Sequence, residues 1–113
     1  MSWRVQVAID RAPLQQKALL ACMALLINAT GRSEVDEVAL RARHKAICMQ
    51  LACEELPVLT VPEVNEAIAR LCAARLIDPS EHGRLRLPIQ IDDIKATIAN
   101  TPHLAHLFPK QGA

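Results

Sequence analysis

The chain has 113 residues, near the commonest size of a single domain, and its 13 Lys and Arg nearly balance its 12 Asp and Glu. A formal charge of +1 excludes a protein held on a polyanion by its overall field, so any contact with nucleic acid requires a local patch. Apolar residues make up 51% of the chain and aromatic residues only 2%, which is typical of a helix-rich domain with an aliphatic core.

The first thirty residues predict one buried helix. Apolar and polar residues alternate over residues 3–10, which indicates a short strand or the end of a linker, and residues 1–12 are interpreted as a linker or N-terminal stub. Pro13 then marks a helix start, and apolar residues surround the segment 14–27 almost completely. Gly31 is the predicted end of this central helix.

A second helix is predicted after a brief extended segment. Glu34 and Val35 form the extended piece, and Asp36 is placed as the N-cap of a helix over residues 37–54. His44 falls on the apolar face of this helix. A single His on such a face predicts a hydrogen-bonded core residue rather than a metal ligand.

A capped third helix and a hairpin follow. Thr60 and Glu63 form a capping box with proline between them, predicting a helix that ends near Arg75. Residues 76–78 can pair with residues 84–91 across a five-residue loop at 79–83. In the longer strand the apolar residues at 85, 87, 89 and 91 alternate with Arg84, Arg86, Pro88 and Gln90, and the proline predicts an edge strand.

Two short helices are predicted near the carboxyl end. Asp92 and Asp93 place carboxylates at a helix start, and Pro102 begins a last helix that Pro109 ends. The resulting fold class is mainly α with a small β-hairpin, a winged helix-turn-helix with a C-terminal helical extension. The predicted domain covers residues 13–109, followed by a tail at 110–113.

No residue pattern predicts catalysis. The four cysteines have neither zinc nor disulfide spacing, which indicates reduced thiols in an intracellular protein. Asp92 and Asp93 are adjacent and therefore fit a helix start better than an acid and base pair. His103 and His106 could share a face, but metal binding would need distant Cys or carboxylate partners, so a solvated tail is favoured and no metal is expected.

The candidate DNA- or partner-binding residues are cationic and surround the hairpin: Arg70, Arg75, His82, Arg84 and Arg86. Glu63 and Glu66 occupy the start of the third helix, where carboxylates would face phosphates, so sequence-specific reading by that helix is not expected. The other interpretation is that the arginines are the water-facing side of an edge strand, where charges discourage unwanted pairing.

One stretch resembles a known family. The run Pro13-Leu14-Gln15-Gln16-Lys17, leading into Leu20 and Cys22, resembles the C-terminal winged-helix domain of the cell-division-cycle-six replication-licensing protein and of the largest origin recognition complex subunit. Glu34-Val35 before a helix with Leu40, Ile47 and Cys48 is similar to the family's second helix, and residues 89–98 with Phe108-Pro109 are similar to its tail. The loop at 56–60 and the wing at 79–83 are shorter and less basic than the family pattern.

The resemblance implies a module of DNA replication initiation that contacts double-stranded origin DNA weakly and recruits the replicative minichromosome-maintenance helicase. It also implies association with the origin recognition complex, a nuclear location, no membrane and a monomeric fragment. The family's ATPase module, which would bind ATP and magnesium, is expected to lie outside this chain, because no G-x-x-x-x-G-K-[ST] occurs here. The alternatives are a protein-interaction domain without nucleic-acid binding and, more remotely, a dimeric transcription regulator.

Overall fold

The computed structural model describes residues 3–108, which form five α-helices and a three-stranded antiparallel sheet. The helices are α1 (Trp3–Arg11), α2 (Leu14–Thr30), α3 (Glu37–Leu51), α4 (Val61–Ala73) and α5 (Ile91–Ile98). The strands are β1 (Glu34–Asp36), β2 (Asp78–Pro79) and β3 (Arg84–Arg86), with short 3₁₀ helices at Glu81–Gly83 and Ala105–Leu107. The order of α2, β1, α3, α4, β2 and β3 confirms the predicted winged helix-turn-helix.

Helix α2 is the centre of the domain. Residues 18–24 are all fully buried, and the helix packs against α3, α4, α5 and β1. Gly31 ends it in the left-handed conformation (φ 71°) and donates its backbone N–H to the Ile27 carbonyl at 2.8 Å. A residue with a Cβ is strained at that φ, which explains the glycine. Among the described helices, none combines the length and apolar character needed to cross a membrane.

Both predicted helix caps are confirmed. The Asp36 carboxylate accepts the Val38 backbone N–H at 2.8 Å and so begins α3. At α4 the Thr60 hydroxyl accepts the Glu63 N–H at 3.3 Å, while the Glu63 carboxylate accepts the Thr60 N–H at 2.9 Å. Both bonds lower the pKa of Glu63 below its ordinary value. The hydrogen bond from the Thr60 backbone N–H has the larger effect, and the bond with the Thr60 side chain has the smaller one.

The prediction of a strand in residues 3–10 is wrong, because this segment is helix α1. Ile9 is fully buried, and Val5 and Ala8 pack against the core. In sequence order these three residues are three and one apart, so they share one helical face, and burial of that face outweighed the alternating pattern. The helix packs against α5. The domain boundary between residues 12 and 13 stays a prediction.

The prediction that the longer hairpin strand is an edge strand is wrong. Strand β3 lies in the middle, with β1 on one side and β2 on the other. It ends at Arg86 rather than at residue 91, so Pro88 lies outside the ladder and interrupts no hydrogen bond. Ile91 begins α5 instead of facing the core from a strand. Only Asp78 of the predicted partner segment 76–78 belongs to β2, since Leu76 and Ile77 are buried in the turn after α4.

Three element ends also differ from prediction. Helix α3 stops at Leu51, because Ala52 adopts the left-handed conformation (φ 48°), and α4 stops at Ala73. The last predicted helix is only the 3₁₀ segment Ala105–Leu107, although Leu104 before it is fully buried. Pro109 and the tail at 110–113 lie outside the described residues.

Gln15, in the run that carries the family resemblance, joins three parts of the fold. Its side-chain nitrogen donates to the Pro57 carbonyl at 2.7 Å, and its oxygen lies 2.8 Å from Nε2 of His44. With the amide nitrogen committed to a carbonyl, the amide oxygen is the acceptor and His44 Nε2 is the donor. The buried Cys48 thiol lies 3.6 Å from the same nitrogen. The prediction of a hydrogen-bonded core His is therefore confirmed.

Burial of His44 should make stability depend on pH. Because burial disfavours the imidazolium, it lowers the pKa of His44 below 6.5. At acidic pH the unfolded chain then binds more protons than the folded chain. The contribution of neutral His44 to the free energy of unfolding is therefore fully present above about pH 6.5. On acidification the free energy of unfolding falls by at most about 1.4 kcal/mol per pH unit. Urea unfolding between about pH 7 and pH 5 measures this slope.

The matched variants are His44→Leu and His82→Gln, the second at a highly exposed position on the wing. We expect His44→Leu to flatten the slope and His82→Gln to keep it. An unchanged slope in His44→Leu would show that His44 keeps an ordinary pKa in the folded domain.

Candidate nucleic-acid interface

The alternation predicted for the wing strand is confirmed over β3. Arg84 and Arg86 are exposed, while Leu85 between them is buried at 3% exposure. A strand sends successive side chains to opposite faces, so the two guanidinium groups project from the same outward face of the sheet. The wing tip is tight, since the Ser80 N–H donates to the Arg84 carbonyl at 2.8 Å.

Carboxylates stand opposite both arginines. In the ladder between β1 and β3, Asp36 faces Arg84 and Glu34 faces Arg86. On the other side, Asp78 of β2 faces Arg86, and their charged atoms lie 3.9 Å apart. Directly opposed residues share a face of the sheet and interact across the strands. We call these five residues the wing face; its three carboxylates outnumber its two guanidinium groups.

The other hairpin candidates lie at the ends of the hairpin. Arg75 follows α4 with φ 62°, and His82 stands at the wing tip with φ 60°. His82 Nε2 lies 3.8 Å from its neighbour Glu81, and both side chains are almost fully exposed. Among residues 3–108, neither Arg75 nor Arg84 has a carboxylate within 4.0 Å. These two guanidinium groups are the most available cations of the predicted set.

Arg70 does not join the others. It pairs with Glu66 at 3.0 Å and borders a concavity that includes Pro13, at the start of α2. Arg84 borders a concavity that includes Gly31, at the end of the same helix. The 17 residues of α2, at about 1.5 Å each, separate the two places by about 25 Å. The five candidates therefore do not form one patch.

Arg32 was missed by sequence reasoning. It lies with Arg84, Glu34 and Asp36 around a shallow concavity of about 500 Å³ beside the sheet. The sequence places Arg32 between the helix end at Gly31 and β1, which indicates an exposed loop. Its position next to Arg84 depends on the pairing of β1 with β3, which the sequence does not show. Its guanidinium group adds a cation to the edge of the wing face.

A second surface lies between α3 and α4. Leu59, Val61 and Val64 line a small apolar groove, with Arg41 and Lys45 also at its wall. Val61 is 64% exposed, although its neighbour Val64 is buried. The groove therefore combines exposed apolar groups at the start of α4 with two cations from α3, and its apolar lining suits a protein surface better than a phosphate backbone.

The comparisons with known proteins agree with this architecture. The family model described as CDC6, C terminal winged helix domain, matches residues 7–96, which is most of the chain. Among curated individual proteins no match reaches significance. The matched range begins inside α1 and ends within α5, and it includes the whole wing. The chain therefore belongs to the CDC6 C-terminal winged-helix family, a family of replication-initiation modules.

Proposed function

We propose that this domain makes weak, sequence-independent contact with double-stranded origin DNA through the wing and contributes to recruitment of the replicative minichromosome-maintenance helicase. The observation that carries the DNA part is the pair of guanidinium groups at Arg75 and Arg84, which have no carboxylate within 4.0 Å among the described residues. Arg86 and His82 assist from the same hairpin. Phosphate contacts of this kind position a protein without reading bases.

The electrostatics of the wing face keep this contact weak. Glu34, Asp36 and Asp78 stand opposite the arginines and would approach the phosphates with them. About three effective phosphate contacts give a salt slope of about −2.7, which corresponds to an affinity loss of about 40-fold between 50 and 200 mM salt. Most of the affinity of a larger assembly would then come from its other parts.

Removing the carboxylates should strengthen DNA binding. We expect the double variant Glu34→Gln with Asp78→Asn to raise duplex affinity about fivefold at low salt. The variant removes two carboxylates that repel the phosphates, and each repulsion costs up to about 1 kcal/mol of binding free energy. Asp36 is left in place because it caps α3. Arg84→Glu with Arg86→Glu should remove measurable binding. Fluorescence anisotropy of a short labelled duplex, at low and raised salt, measures both.

The assignment of the wing as the contact surface is wrong if the Arg84→Glu, Arg86→Glu variant binds both duplex DNA and purified helicase as tightly as the unmutated chain. Circular dichroism of each variant verifies that the fold is retained. If the parent shows no duplex binding at low salt but saturable binding to the helicase, the protein-interaction alternative is favoured.

That alternative rests on the groove between α3 and α4. Apolar side chains line it beside Arg41 and Lys45, and the exposed Val61 favours a protein partner over a phosphate backbone. Val61→Asp should weaken helicase binding without changing duplex binding if the groove is the docking surface. Loss of duplex binding in this variant would instead implicate the start of α4 in DNA contact.

The proposal places the domain in the nucleus, beside the origin recognition complex, with no part of its own in catalysis. A winged helix is not itself a catalytic domain. The family resemblance implies that ATP and magnesium are bound by an AAA+ module and not by the winged helix, and no phosphate-binding loop motif occurs in this sequence.

A further inference from the structure

Three metal-ligating side chains meet where the loop after α3 approaches the carboxyl-terminal segment. Cys53, Glu55 and His103 bring a thiol sulfur, a carboxylate oxygen and an imidazole nitrogen within 4.8 Å of one another. The carboxylate oxygen Oε2 of Glu55 lies 3.7 Å from Nε2 of His103. His103 and Cys53 are 50 residues apart in the chain, so their meeting depends on the fold.

The backbone on both sides holds this cluster in place. Ala52 adopts φ 48°, an unfavourable conformation for a residue with a Cβ, and so turns the chain out of α3 directly before Cys53. The Cys53 carbonyl then accepts the Leu56 N–H at 3.2 Å, and the Leu56 side chain is fully buried. This turn fixes the positions of the thiol and of the Glu55 carboxylate, because they lie between the end of α3 and the buried Leu56.

His103 is fixed in a similar way. It lies in a turn where the Leu104 N–H donates to the Thr101 carbonyl at 3.0 Å. Both Thr101 and Leu104 are buried, so the imidazole is carried on a short segment anchored at each end. The His103 and Glu55 side chains remain 39% and 59% exposed, which leaves a path for an ion from solvent.

The donor set matches one class of ion. In a tetrahedral zinc site with bonds of about 2.0–2.1 Å, nitrogen and oxygen ligands lie about 3.3 Å apart, only a few tenths of an ångström closer than the observed pair. Thiolate and imidazole favour zinc over magnesium or calcium, which prefer oxygen ligands. A thiolate and a carboxylate together balance the charge of a divalent ion.

We propose that Cys53, Glu55 and His103 bind a zinc ion, with water as the fourth ligand. The ion would join the loop between α3 and α4 to the carboxyl-terminal segment and so stabilise the helical extension. This site departs from the expectation of no metal, because the fold brings to His103 the Cys and carboxylate partners that lie about 50 residues away in the sequence. Zinc binding here does not depend on the proposed DNA contact.

The test uses the full chain after treatment with a chelator. Titration calorimetry with zinc should show one ion per chain, and cobalt(II) should give the absorption of a four-coordinate ion with a thiolate charge-transfer band. Zinc should also raise the melting temperature. Cys53→Ser, Glu55→Gln and His103→Asn should each lower zinc affinity by at least about tenfold.

Two matched controls use residues of the same types outside the cluster. Cys72→Ser alters a half-buried thiol, and His106→Asn alters an exposed imidazole three residues from His103. Both should bind zinc as the parent does. The proposal is overturned if the parent binds no zinc in the micromolar range, if cobalt shows no thiolate band, or if His103→Asn binds as tightly as the parent. In those cases the contact between Glu55 and His103 has no metal-binding role.

Discussion

Leu20→Ala is expected to lower the free energy of unfolding by about 2–5 kcal/mol, the range for removing a large buried side chain from a core. Leu20 is fully buried in the middle of α2, the helix that contacts α3, α4, α5 and β1. The cavity left by the substitution is surrounded by several elements that cannot all relax into it. Domains of this size have only about 5–15 kcal/mol of stability, so the loss is a large fraction.

Equilibrium urea unfolding followed by circular dichroism measures this loss. The control is Val38→Ala on α3, where the side chain is 66% exposed and the substitution should change stability by less than about 0.5 kcal/mol. Equal, small effects from the two variants would contradict the placement of α2 at the centre of the core.

Gln15→Leu is the second large expected effect, with a loss of about 1–3 kcal/mol. The substitution leaves the buried N–H of His44 without its acceptor at 2.8 Å, and an unsatisfied buried donor costs about that much. It also removes the bond to the Pro57 carbonyl, which connects the start of α2 to the loop before α4. The loss should appear without any large change in side-chain volume.

Gln16→Leu is the matched control, since Gln16 is the next residue of the same helix and makes no side-chain hydrogen bond within residues 3–108. Urea unfolding at neutral pH should separate the two variants by at least about 1 kcal/mol. If both variants unfold at the same urea concentration, the network between Gln15 and His44 does not contribute to stability.

Local signals predicted the helical part of the fold well. The capping residues Asp36 and Thr60 and the stop at Gly31 each act within one turn of their own position, so they are readable without tertiary information. The continuous apolar character of α2 indicated its burial for the same reason. The family resemblance of the run 13–17 is now connected to a physical role, the hydrogen bonds of Gln15.

The errors occurred where two patterns competed or where a partner element decided the outcome. Residues 3–10 fit both alternation and a helical face, and packing of Ile9 against the core selected the helix. The length of β3 was overestimated because residues 87–91 alternate as a strand does, but the sheet offers pairing partners only for Arg84–Arg86. No local signal could show that β1 covers the other side of β3.

The same limit applies to the candidate sites. Alternation placed Arg84 and Arg86 on one outward face, but the opposing carboxylates of β1 depend on pairing between segments about 50 residues apart. The meeting of Cys53 with His103 is likewise a product of the tertiary fold. A list of cationic residues therefore overstated the positive character of the wing, and the spacing of the cysteines concealed a metal-ligating cluster.

The most direct measurement of the central claim is an NMR titration of the chain with a short duplex at low salt. If the wing is the contact surface, backbone amide shifts should concentrate at Arg75 and over residues 82–86, and raised salt should reverse them. Shifts concentrated at the start of α4, over residues 61–66, would contradict the claim and assign DNA contact to the helix that carries Glu63 and Glu66.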